Sequence, residues 1–176
     1  MSGENHRLAR LTDLAPGLAE FRDAVLAGLA QPQKSVPCKF FYDREGSRLF
    51  EAICDTAEYY PTRTERASRA AAAAESARSA GPEISIVELG SGAGVKIRAL
   101  LDALERPAAY VPVDISRLRL IEVAKRLAAD YPQVHVAPVS ADYTRPFHLP
   151  PTGQRQPTWM GFFPGSTIGN FSPPQA

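Results

Sequence analysis

Apolar residues recur at steps of three and four through Leu14, Leu18, Phe21, Val25 and Leu29, which predicts an amphipathic helix ending near Gly28 to Pro32. Such a stripe needs something to cover. Gly46 and Ser47 precede a short helical pattern built on Leu49, Phe50 and Ile53, and the Ala-rich run from Glu65 to Ala80 suits a helix by propensity, stopped by Gly81-Pro82. The periodicity then changes. Ile84 to Leu89 and Ala109 to Asp114 are short apolar runs of the kind buried on both faces, separated by a helical pattern carrying Ile97, Leu100, Leu101 and Leu104. Ser116 is placed to cap a helix reaching about Asp130, with Leu118, Ile121, Leu127 and the stem of Lys125 available for packing. Val134 to Val139 reads as a third strand. After a Pro-rich loop from Pro146 to Pro157, Trp159 to Phe163 reads as a fourth. Four parallel strands joined by crossovers make an α/β fold.

Composition adds limits. The chain has 176 residues, the size of one domain, and its 20 Lys+Arg against 19 Asp+Glu give a net charge of +1. With the basic residues scattered singly, neither nucleic acid nor an anionic membrane is expected as a partner. Cys38 and Cys54 form no C-x-x-C, and His6, His135 and His148 form no H-E-x-x-H, so no metal site is expected. The start of the chain lacks a leader pattern and no 18-residue apolar span follows, so cytoplasmic residence is the expectation.

Phe40, Phe41, Tyr42, Tyr59 and Tyr60 crowd one irregular segment. Two readings stand side by side: packing residues with satisfied hydroxyls, or a lid over a ligand.

The chemistry is most legible at VELGSGAGVKIRALLDAL, where Gly90, Gly92 and Gly94 follow a strand and precede a helix. Glycines there permit a tight turn and close approach of a ligand to backbone amides, and the following helix offers its own N–H groups to an anionic or carboxylate group. Asp114, twenty residues past Gly94 at the next strand's end, has two oxygens suited to both hydroxyls of an adenosine ribose. The dinucleotide pattern G-x-G-x-x-G fails, because Val95 stands where its third glycine belongs. The Walker pattern fails too, because Ile97 follows Lys96 where a Ser or Thr is required. Asp142 and Tyr143 close the third strand, either as a surface turn or as a carboxylate and a ring placed to hold an adenine.

The spacing E-x-G-x-G-x-G with a strand-end acid resembles the first motifs of class I S-adenosylmethionine-dependent methyltransferases. Read in order, FFYDREGSRLFEAICDTAEYYPTRTE, ELGSGAGVKIRALLDAL, YVPVDIS and GSTIGN resemble something narrower, the histidine-specific Nα-methyltransferase family of ergothioneine biosynthesis, across nearly all of residues 14–176. The resemblance implies a Rossmann-like class I methyltransferase core, S-adenosyl-L-methionine as cofactor, and L-histidine as a small amino-acid substrate converted to hercynine. It implies that Gly90, Ser91 and Gly92 line the cofactor site, Lys96 approaches the methionine end, Asp114 takes the ribose hydroxyls, and Asp142 with Tyr143 frames adenine. It places Tyr42 and Tyr59 around the substrate amino group, with Gly165 and Asn170 on the substrate side. No acid or base residue is implied; Tyr42, Tyr59 and Asn170 act by positioning.

The chain departs from the family pattern at Cys38, where a proline-lysine pair is commoner, and at Ile97, where a Thr hydroxyl near the cofactor is usual. Residues 1–80 are expected to form an N-terminal helical and substrate-lid segment, and 81–176 a partial cofactor-binding core that stops after the fourth strand. Relatives continue into a C-terminal substrate domain that contacts the imidazole, so a missing C-terminal half is an expected partner. The fourth strand is then an exposed edge. A non-catalytic cofactor-binding fragment and a methyltransferase for another amino acid are the alternatives.

Overall fold

In the computed structural model, which describes residues 8–165, 167–171 and 173, the apolar runs pair as a parallel sheet. The strands are β1 (Thr12–Leu14), β2 (Ser85–Leu89), β3 (Ala109–Asp114), β4 (His135–Val136), β5 (Val139–Ala141) and β6 (Trp159–Phe162). Their order is β1-β5-β3-β2-β6, with β4 also paired to β3. Every pairing is parallel, and Glu88 stands level with Pro112 on one side and Phe162 on the other. The helices are α1 (Leu18–Ala30), α2 (Arg44–Cys54), α3 (Pro61–Ala80), α4 (Arg98–Ala103) and α5 (Arg117–Asp130).

Because side chains alternate along a strand, Ile86 and Tyr110 face the helices and Val111 and Val113 face away. The helical face packs Ile86 and Tyr110 with Ile97, Leu100 and Leu101 and with Val123 and Leu127 of α5. On the other face Val111, Val113, Val139 and Ala141 gather Val87, Leu89, Phe147 and Trp159. Parallel connection therefore brings the C-terminal ends of β2, β3 and β5 to one edge, the place where open α/β sheets hold their ligands.

Several expectations are corrected. Leu14 ends strand β1, whose backbone is drawn into the sheet by Thr12 N–H donating to the Pro138 carbonyl at 3.0 Å. The helix starts only at Leu18 and buries no residue; Leu18 and Leu26 are exposed, while Phe21 meets Phe40 edge-on at 5.1 Å. Gly46 and Ser47 lie inside α2, because Asp43 caps it by accepting from Gly46 N–H at 2.7 Å. α3 begins at Pro61, whose missing N–H costs nothing in a first turn. The third strand is two pieces, since Pro138 has no N–H to continue the ladder. Ser116 occupies the cap position of α5 without a side-chain bond. Leu118 is exposed; it lies about 200° around the helix from Leu120, which with Val123, Leu127 and Ala128 forms the buried stripe. β6 pairs with β2 alone among the described residues, as expected of an edge. No helix among them is long and apolar enough to cross a membrane.

Candidate functional site

The glycine turn is fastened to the neighbouring strand. Gly90 and Ser91 N–H both donate to the Val113 carbonyl, at 2.9 and 3.1 Å. Asp114 braces the turn from the same strand: one carboxylate oxygen accepts Gly92 N–H at 2.8 Å and the other accepts Ser116 N–H at 2.9 Å. Each oxygen keeps a second lone pair. Gly94 has φ +66°, and a Cβ there would stand 2.4 Å from Val123 Cγ1, so this glycine lets the turn settle onto α5. Helix α4 is six residues long and starts only at Arg98, so the amides at the turn belong to the turn itself, contrary to the expectation of a helix N-terminus. Ile97 is fully buried in the core of the helical face rather than at the turn's polar mouth. Burying it contributes roughly 1.5–3 kcal/mol to stability.

Tyr143 lies against Gly90, where a Cβ would come 3.8 Å from its ring, and meets Phe163 edge-on at 5.5 Å. Burial first, then the charge of Asp114, pushes its phenol up to about 12. Asp142 is buried at 8% exposure, not an open surface turn. One of its oxygens accepts Thr144 N–H at 3.0 Å and Thr144 Oγ1 at 2.6 Å; the other accepts Lys39 Nζ at 2.6 Å. Burial opposes the Asp142 charge, but Lys39 and then Thr144 outweigh it and hold the carboxyl below its ordinary range. Lys39 also reaches Glu20 on α1 at 3.1 Å, so a single ammonium ties the N-terminal segment to the end of β5.

Tyr42 and Tyr59 are brought together through Phe50, each ring meeting it edge-on with centroids 6.2 Å apart. Burial, then Cys38, Tyr59 and Asp114, raises the Tyr42 phenol. Lys96 pairs with Glu65 at 2.8 Å, and Gly165 N–H donates to the same carboxylate at 2.6 Å. Arg69 completes the group. The described residues thus bring Lys96 and Gly165 to one place. Asn170 closes the short turn Thr167–Asn170, and its side chain lies outside the described residues.

Three residues escaped the reading of the sequence as site residues. Glu65 closes the quoted YYPTRTE and Lys39 stands immediately before FFYD, yet each has a partner, Gly165 and Asp142, that lies 100 or 103 positions away, beyond any local pattern. Glu88, the acid of E-x-G-x-G-x-G, is fully buried and accepts from the Tyr110 hydroxyl, while its Oε1 has no partner among the described residues. Burial pushes it up to about 8, against the pull of Tyr110 and then Arg69 and Lys96.

In Asp114→Ala both braced amides lose their acceptor as well as any ligand contact. Adenosyl-ligand affinity is expected to fall tenfold or more, on the scale of about 1.5–3 kcal/mol for a charged hydrogen bond, with a modest drop in melting temperature. Calorimetric titration beside thermal unfolding checks it; unchanged affinity would count against the role.

The sequence profile of the family described as "Histidine-specific methyltransferase, SAM-dependent" matches residues 21–176. A histidine N-alpha-methyltransferase of Mycolicibacterium smegmatis is 39% identical over 156 residues, covering 86% of this chain and 47% of the relative. Its counterpart in Mycobacterium tuberculosis is 38% identical over 160 residues, covering 89% and 49%. A 4-dimethylallyltryptophan N-methyltransferase of Penicillium roqueforti is 31% identical over 163 residues, covering 88% and 47%. The chain spans about half the length of these curated relatives. Its fold is a Rossmann-like class I methyltransferase fold with an N-terminal helical region and a partial sheet core. The chain belongs to the histidine-specific, S-adenosylmethionine-dependent methyltransferase family.

Proposed function

We propose that this chain carries the cofactor-binding half of an S-adenosylmethionine-dependent methyltransferase that methylates the α-amino group of L-histidine to give hercynine. The observation that carries the reading is the strand-end cluster, in which Asp114 braces the glycine turn, Tyr143 lies against Gly90 of that turn, and Lys96, just past it, joins the Glu65–Gly165 group. The donor set fits the cofactor. Asp114 offers acceptors to ribose hydroxyls, Tyr143 offers a ring beside Gly90, Lys96 offers a cation to a carboxylate, and the buried Ser91 hydroxyl has no partner among the described residues.

Bound there, the cofactor supplies an electrophilic methyl group on a sulfonium, taken in line by the neutral substrate amine, with the positive charge passing from sulfur to nitrogen. The chain's own residues orient and stabilise. Tyr42, its phenol raised and therefore protonated at neutral pH, offers a hydroxyl oxygen that accepts an amine N–H without protonating the nitrogen, and Tyr59 is assigned the same task. Asp114 contributes a carboxylate at the glycine turn, while the charge of Glu65 is met by Lys96 and Arg69. Positioning of this kind supplies much of the rate in a transfer that needs no covalent enzyme intermediate. Within residues 1–80, β1 belongs to the sheet and the helical segment after it is assigned to the substrate lid, with 81–176 as the cofactor core and the substrate domain of the relatives supplying imidazole contacts.

The experiment is transfer of isotopically labelled methyl from the cofactor to L-histidine by the purified chain, alone and together with the downstream half of a relative, followed by mass spectrometry of the α-amine. Labelled α-N-methylhistidines are the expected product. Transfer to another amino acid in a substrate panel would replace histidine in the proposal, a reading favoured by the likeness to the Penicillium enzyme named for a tryptophan derivative. Saturable cofactor binding without transfer to any acceptor would reduce the chain to a binding module.

A further inference from the structure

Glu65 sits in the second turn of α3, and two distant segments and its own helix each send a donor to its carboxylate. Oε2 accepts Lys96 Nζ at 2.8 Å from the loop after the glycine turn. Oε1 accepts Gly165 N–H at 2.6 Å from the segment after β6, together with the Arg69 guanidinium one helical turn along. Arg69 in turn stacks on Phe162, the last residue of β6, with 4.7 Å to the ring centroid. Gly165 has φ +91°, and a Cβ on it would stand 2.7 Å from Lys96 Nζ. The backbone of Gly165 therefore lies directly against the Lys96 ammonium, which a side chain at 165 would displace.

We propose that Glu65 is the positioning residue that fixes Lys96, on the cofactor side, relative to the Gly165 backbone, on the substrate side. The assignment rests on the cofactor reading above. Three donors, two of them cationic, need an ionised acid; a neutral amide has too few acceptor sites and would turn an N–H toward a cation. Burial resists that charge, and Lys96, Arg69 and the Gly165 amide overcome it, holding the carboxyl near 2. Side-chain exposure of 20% separates this group from open surface pairs, which contribute little. In-line methyl transfer tolerates errors of only about 0.5 Å and 10–20° in the placement of its partners, and a carboxylate shared by both sides is a direct way to meet that tolerance.

The test compares binding of two probes by calorimetry: S-adenosylmethionine, and 5′-methylthioadenosine, which keeps the nucleoside thioether and lacks the amino-acid end. In Glu65→Gln, S-adenosylmethionine affinity is expected to fall roughly tenfold, the scale of one charge-assisted contact, with methylthioadenosine binding unchanged. The loss should vanish in the Lys96→Met background, as coupled residues require and a general loosening of the fold does not. The Gly165 amide resonance should move upfield and its hydrogen exchange quicken. Glu65→Asp, which keeps the charge and shortens the reach, replaces Glu65→Gln with the same readouts if the latter fails to fold. Wild-type affinity together with an unmoved Gly165 amide in a folded variant would overturn the proposal alone. A wild-type chain that binds S-adenosylmethionine saturably but no better than methylthioadenosine would overturn this assignment alone, and one that binds neither would overturn the cofactor reading and this assignment with it.

Discussion

Glu88→Gln is expected to raise the thermal midpoint at pH 8 and to flatten the fall in stability that the wild-type chain shows between about pH 5 and pH 8. The cause is the burial of a carboxyl with no exposure, whose ordinary value of 4.5 is raised to about 8 in the fold. Above its ordinary value the unfolded chain carries an ionised Glu88, so folding must take up a proton. The group's contribution is therefore fully present below about pH 4.5 and is lost as pH rises through 8. Each pH unit inside that window costs about 1.4 kcal/mol, so the whole window amounts to a few kcal/mol. Glutamine keeps the shape and the acceptor for the Tyr110 hydroxyl and has nothing to titrate. Glu65 has the opposite sign: its lowered value gives stability that is present above about 4.5 and lost as pH falls toward 2. Thermal melts of wild type and Glu88→Gln from pH 4 to 9 check the account, and parallel profiles for the two would contradict it.

The second large effect is expected at Gly94→Ala. At φ +66° an alanine is strained by about 1–2 kcal/mol, and its Cβ would stand 2.4 Å from Val123 Cγ1 and 3.1 Å from Leu127 Cδ1. Both neighbours are 1% exposed and cannot swing into solvent. Overpacking adds about 1–3 kcal/mol, for a total of about 2–5 kcal/mol and a fall of about 5–15 °C in the melting temperature. Val123→Ala clears the clash, so the double variant should be more stable than the sum of the two losses predicts. Gly92→Ala is the control. At φ +53° it meets strain, but its nearest atom is 4.0 Å away, so its stability cost should be the smaller. Equal losses at the two glycines would show that packing onto α5 is not what Gly94 provides.

The glycine turn and its two flanking strands were legible because each is written in consecutive residues: an apolar run, spaced glycines, then an acid at the next strand's end. β2, β3 and α5 follow the sequence to within a residue or two. Strand β1 was not legible, since Thr12, Asp13 and Leu14 carry no alternating pattern and become a strand only because β5 offers its backbone alongside. The break at Pro138 was visible as a proline, but its consequence depended on Thr12 arriving to use the carbonyl. At the site, the Lys39–Asp142 and Glu65–Gly165 contacts join residues a hundred positions apart, and no periodicity announces such pairs. The resemblance named Lys96, Gly165 and Asp142, while their partners Glu65 and Lys39 are brought to them by the fold. Tyr42 and Tyr59 were singled out as a pair from their segment, and Phe50, which joins them, was read as a core position of a helix.

Cofactor binding is the claim on which the rest depends, and calorimetric titration of the folded wild-type chain with S-adenosylmethionine, beside Asp114→Ala, tests it most directly. One saturable site per chain in the wild type, weakened tenfold or more in the variant, is the predicted result. A well-folded wild-type chain showing no saturable binding would contradict it.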